Sequence, residues 1–136
     1  MNALLVACSE GRLSPVLDDL QRSLDIGGCH RMLVPGGPLA LTKTGAERRV
    51  ARDCVSSIVA RYGVRRIVLV SHQDCFAYEV ALGGLGFDQR SLLARDLRRV
   101  RAMLEDDFLG VAVECFVVPW REGAEGPEFG VPEPVE

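Results

Sequence analysis

Two short stretches of the sequence carry side chains able to do chemistry. The first is Cys8-Ser-Glu10-Gly-Arg12, and the second is His72-Gln-Asp-Cys75. Two thiolates and an imidazole are a good donor set for zinc, with a fourth position left for water or a carboxylate. The soft sulfur ligands favour zinc over magnesium or calcium. Spacing alone also admits a plainer reading, in which Cys8 is a buried thiol ending a strand and His72 a loop histidine bonded to backbone. The stretches lie far apart in the chain, so the chemistry requires elements that bring them together.

Those elements are legible as an alternation. Ala3 to Ala7 is a short apolar run, too continuous for a half-exposed strand, and reads as a buried parallel strand ending at Cys8. Ser14-Pro15 opens a helix, with Ser14 expected as its cap and Val16, Leu17 and Leu20 as its apolar face. Gly27-Gly28 ends that unit. His30 to Val34 is a second strand, followed by Pro35-Gly36-Gly37-Pro38, rigid at its ends and permissive in the middle. Val50, Cys54 and Ile58 recur at helical spacing, with Ala51, Val55 and Val59 beside them, and Gly63 stops that helix after Tyr62. Arg66 to Val70 is the strongest strand and runs into the His72 stretch.

Gly83, Gly84 and Gly86 mark a flexible linker, and Asp88 is expected to cap a long helix with a stripe of Leu93, Leu97, Val100 and Leu104. Val111 to Val118 is the last strand. The expected organisation is one α/β domain over 1–120 and a mobile, acidic, Pro/Gly-rich tail over 121–136. Strand and helix patterns in alternation predict a doubly wound, mostly parallel sheet of four or five strands flanked by helices. Open parallel sheets bind ligands beyond the carboxyl ends of their strands, where strand order reverses. If the first and third strands are neighbours, Cys8, His72 and Cys75 meet there.

Composition narrows the function. Sixteen Lys and Arg against nineteen Asp and Glu give a net charge of −3, which argues against non-specific nucleic-acid binding. No apolar run is long enough to cross a membrane. The first residues read as a strand and not as a signal peptide, and five irregularly spaced cysteines fit free or metal-bound thiols better than a disulfide scaffold. A cytoplasmic protein is expected. No CxxC, GxGxxG or GxxxxGK[ST] pattern supports a thioredoxin-like or nucleotide role.

A first strand ending in Cys-x-acid-x-Arg, and a later strand ending in His-x-x-Cys, resemble the beta class of carbonic anhydrases. The likeness extends to VSSIVARYGVRRIVLVSHQDCFAY, Val55 to Tyr78, which is similar to that family's helix, strand and ligand loop. RMLVPGGPLAL, Arg31 to Leu41, stands in place of the family's strand and small-residue loop. The resemblance spans Ala3 to Val80. It implies zinc held by Cys8, His72 and Cys75, with Glu10 and Arg12 as a catalytic orienting pair. It further implies a lyase in which zinc hydroxide attacks carbon dioxide or a similar small electrophile such as carbonyl sulfide. The family is built from dimers, so a homodimer or higher homo-oligomer is expected. The alternative is a non-catalytic zinc-binding or metal-free interaction protein with the same fold.

Four features depart from the family pattern. Glu10 replaces Asp and is one methylene longer. Phe76 follows Cys75 where Gly is usual. The Pro35–Pro38 loop lacks the Arg-Asn-Ala-Gly-Asn character. The chain begins at its first strand, without the family's N-terminal helices, so altered subunit contacts are expected. Among the remaining candidates, Cys29 and His30 are adjacent on a strand and point opposite ways, so at most one faces a common site. Cys54 and Cys115 read as inert core thiols. Arg90, Arg95, Arg98, Arg99 and Arg101 read as a solvated helix face. Glu114, inside an apolar strand, is either an edge guard or an interface residue.

Overall fold

The computed structural model describes residues 2–81 and 89–136. Among these residues the strands are β1 (Ala3–Ala7), β2 (His30–Leu33), β3 (Arg66–His72), β4 (Ala112–Val118), β5 (Trp120–Gly123), β6 (Gly126–Phe129) and β7 (Glu133–Val135). The helices are α1 (Ser14–Ser23), α2 (Gly45–Tyr62), α3 (Phe76–Ala81) and α4 (Gln89–Asp107), with 3-10 turns at Gly11–Leu13 and Gly37–Thr42. The linker glycines 83, 84 and 86 and the expected cap Asp88 lie outside the described residues. No helix among the described residues is long and apolar enough to cross a membrane.

The main sheet has the order β2-β1-β3-β4-β7, parallel throughout except for β7. Every residue of β1 is fully buried, as are Ile67 to Val70 of β3. That burial explains their unbroken apolar runs: a central parallel strand is covered on both faces. On one face α4 packs against β4 and β3, with Leu93, Leu97, Val100 and Leu104 buried. The Cys115 thiol donates to the Leu97 carbonyl at 3.6 Å from beneath. On the other face the Arg66 guanidinium, on β3, donates to the Leu24 carbonyl just past α1 at 3.0 Å. The direction in which strands are added reverses at β1 and β3: the path goes from β1 outward to β2, then back across to β3, all three strands staying parallel. The carboxyl ends of β1 and β3 therefore open side by side at the switch point.

Several expectations are corrected. Ser14 is the first residue of α1 and not its cap; Leu13 precedes it with no side-chain bond, and the capping oxygen belongs to Glu10 at the preceding 3-10 turn. On α2 the buried residues are Ala51 and Val55, while Val50 and Cys54 are exposed. The packing stripe is rotated by one residue, about 100° on a helix, so Cys54 is not a core thiol. Gly63 does end α2, in the left-handed conformation at φ 63°. Glu114 is not an edge guard: β4 lies between β3 and β7, and Arg66 on the neighbouring strand grips its carboxylate at 2.7 Å and 3.1 Å.

Residues 121–136, expected as a mobile tail, are folded into strands. β5 and β6 form a hairpin, and β7 pairs with β4 antiparallel, Cys115 opposite Val135. Gly126, at φ 112°, makes the hairpin turn that the glycine content suggested was merely loose. Arg101 donates to the Val135 carbonyl at 2.9 Å, Arg98 to that of Glu136 at 3.1 Å, and Arg90 pairs with Glu133. Part of the arginine-rich face of α4 thus holds the last strand.

Candidate metal centre

Cys8 directly follows β1, and the Pro35–Pro38 loop fixes it there. Gly37, at φ 55°, approaches so closely that a Cβ would lie 2.7 Å from the Ala7 carbonyl carbon. This contact lets the Gly36 N–H donate to the Cys8 sulfur at 3.3 Å. β3 delivers His72, and the turn after it, with Asp74 in the left-handed conformation at φ 57°, swings Cys75 back under α3. Cys8, His72 and Cys75 are all buried, and their ligand atoms lie within 4.8 Å of one another. Among the described residues this is the only group of three or more His, Cys, Asp or Glu placed to hold a metal.

The side chains fit a metal in more than proximity. His72 Nδ1 lies 2.6 Å from the Gln73 carbonyl, which fixes it as the N–H nitrogen. Nε2 is then the lone-pair nitrogen, and it is buried without a hydrogen-bond partner. A buried acceptor left unpaired is costly, and a metal at the cluster would remove that cost. The Cys75 thiol beside it, more than any other group, favours the thiolate of Cys8, aided by the His72 side chain and the Gly36 and Glu10 amides against the effect of burial. The same shared hydrogen bond and burial push Cys75 up. Soft sulfur donors with one imidazole nitrogen suit zinc.

Glu10 stands beside the cluster with its carboxylate bonded to Arg12. Its Oε1 accepts from Arg12 N at 3.1 Å and Nε at 3.0 Å, and its Oε2 from Nη2 at 3.2 Å. These bonds hold the Glu10 carboxyl down at about 2. A cleft of about 220 Å³ opens over the cluster, lined by Cys8, Ser9, Glu10, Pro35, Gly36, His72, Phe76 and Ala77. Phe76 is 77% exposed, so its bulk stands at the rim and does not fill the cleft. A larger cleft of about 320 Å³, along Arg48, Arg49 and Arg52 of α2, contains none of the site residues.

The sequence reading missed three contributors. Asp74 Oδ2 lies 3.4 Å from Arg12 Nη2. The rings of Trp120 and Phe129 lie 5.0 Å and 5.3 Å from the Arg12 guanidinium carbon. Phe129 also meets the His72 ring edge-on at 5.1 Å. The only local signal was a lone tryptophan and a phenylalanine bracketing a Gly-rich turn. Cys29 and His30 take no part in the cluster; His30 stacks on Tyr62 at 4.0 Å.

No family model matches this sequence, and no curated protein matches it. Solved structures do. A beta-carbonic anhydrase of the Trichomonas vaginalis protozoan aligns over 96% of this chain and 82% of its own, at 9% identity and a TM-score of 0.56. A beta-carbonic anhydrase of the fungus Aspergillus fumigatus aligns over 96% and 90%, at 10% identity and a TM-score of 0.56. A carbonic anhydrase of Streptococcus mutans aligns over 87% and 75%, at 19% identity and a TM-score of 0.52. The fold is beta-carbonic-anhydrase-like. The Cys8–His72–Cys75 cluster resembles a beta-carbonic-anhydrase metal site.

Proposed function

We propose that the chain is a zinc-dependent, carbonic-anhydrase-like lyase acting on carbon dioxide or a similar small linear electrophile. The observation that carries this reading is the buried Cys8–His72–Cys75 cluster at the sheet's switch point, with the unpaired His72 Nε2 directed into a cluster of two sulfurs. Cys8, His72 and Cys75 would hold the ion. Bound there, zinc supplies hydroxide near neutral pH by lowering the pKa of water to about 7. The chain's own work is to orient and to exclude. Glu10, steadied by Arg12, offers an acceptor that aligns the nucleophile's proton. Pro35, Phe76 and Ala77 give the cleft apolar walls that suit an uncharged substrate.

Two measurements test the reading. Metal analysis of protein purified without chelator should find close to one zinc per chain, lost in Cys75→Ala. Stopped-flow carbon dioxide hydration near pH 8.5 should then show a rate for zinc-loaded protein well above that of Cys8→Ser. Equal rates would overturn the carbonic anhydrase activity. Bound zinc without any such rate would favour the non-catalytic zinc-binding alternative.

A further inference from the structure

Glu10 lines the same cleft as Cys8 and His72, yet its carboxylate is spent on Arg12. Alone, this pair is a weak restraint. Arg12 is half exposed, and an exposed arginine must give up rotamer freedom to hold one geometry. A carboxylate one methylene longer than Asp is a natural competitor for a metal's fourth position. Something has to keep Arg12 in place.

The β5–β6 hairpin does this. Trp120 and Phe129 are cross-strand partners, with ring centres 4.8 Å apart at 67°. Both rings face the Arg12 guanidinium, which Asp74 also touches. The hairpin base is tied to the end of β3: Trp120 N donates to the Gln73 side chain at 2.9 Å, and Gln73 N donates to the Val118 carbonyl at 2.9 Å. Phe129 packs edge-on against His72 itself. We infer that Trp120 and Phe129 are positioning residues of the metal centre: they clamp Arg12 so that Glu10 stays chelated to it and leaves the fourth metal position open. The inference rests on the metal-centre reading above. It gives the C-terminal hairpin a role in the site that neither site motif announces.

The test uses full-length protein loaded with cobalt(II), with azide as the probe of the open position. Wild-type protein should bind azide with a change in its visible spectrum. Trp120→Leu/Phe129→Leu should keep one cobalt per chain and its far-ultraviolet dichroism, but bind azide at least about tenfold more weakly, because Glu10 now competes. Adding Glu10→Gln should restore azide binding to within about threefold of wild type, a rescue no general loosening of the fold would produce. Should the double variant not fold, Trp120→Leu alone, which keeps Phe129 against His72, carries the same expectation at about threefold. Unchanged azide binding in the variants, weakening that Glu10→Gln does not rescue, or a wild-type cobalt spectrum indifferent to azide overturns the inference alone. Wild-type protein that takes up neither cobalt nor zinc overturns the metal-centre reading with it.

Discussion

Glu10 is the residue whose behaviour is easiest to read. Three N–H groups of Arg12 point at its two oxygens, so the ionised form is favoured and the carboxyl falls from 4.5 to about 2. A depressed carboxyl contributes stability that is complete above the unfolded value of 4.5 and is lost as pH falls toward 2. Carboxyl NMR titration of metal-free protein should therefore find Glu10 at about 2, and Arg12→Gln should return it toward 4.5. The urea midpoint of wild type should exceed that of Glu10→Gln by a constant amount above pH 5, and the gap should narrow below 4.5 and close as pH reaches about 2. At this scale the residues of the candidate cluster were legible because they end strong apolar runs: Cys8 follows β1 and His72 closes β3. Asp74, Trp120 and Phe129 were not. Their contact with Arg12 exists only after a hairpin folds back across the sheet end, and no local periodicity encodes that return.

Among the elements, the entry to the 3-10 turn at Gly37–Thr42 makes the strictest demand on residue type. At Gly37 the left-handed φ and the 2.7 Å approach to Ala7 act together, so a methyl group has neither conformation nor space. Gly37→Ala should cost at least about 2 kcal/mol in chemical denaturation and should lower zinc occupancy, because the loop also aims the Gly36 amide at Cys8. Gly63→Ala, where φ is also positive but the nearest heavy atom is 4.0 Å away, should cost about 1 kcal/mol and leave zinc in place. The contrast separates backbone strain from the site. Strands β1 and β3, α4's stripe and the Gly63 stop were legible because burial on two faces, or on one stripe, leaves a pattern in residue type. The face of α2 was not, since Val50 and Cys54 are as apolar as the Ala51 and Val55 that it buries. Only the partner, the 37–42 segment, decides which row turns inward.

For the whole molecule, the doubly wound sheet follows from alternating patterns, whereas its edges depend on the chain's last residues. On the face of β4 opposite α4, Ala112 is exposed and Glu114 and Phe116 are only half-buried. We propose that a second copy covers this face, as the expected dimer requires. Sedimentation at micromolar concentration should give twice the monomer mass, and Phe116→Glu should return it to the monomer. The last strands make a separate demand. β7 completes the sheet through three register pairs with β4, and Val135 and Phe129 pack on the core from the C-terminal segment. Half-burying two such side chains contributes about 2 kcal/mol, and the added ladder bonds about 1–2 kcal/mol more. Deleting residues 119–136 should thus remove about 3 kcal/mol, or about 10 °C in melting temperature for a domain of this size. Wild type should melt in one transition reported alike by far-ultraviolet dichroism and by Trp120 fluorescence, since the hairpin's only tryptophan sits on Arg12. A Trp120 signal lost well before the helices would instead mark 121–136 as an appendage, and the boundary after residue 120 would then stand as the sequence suggested.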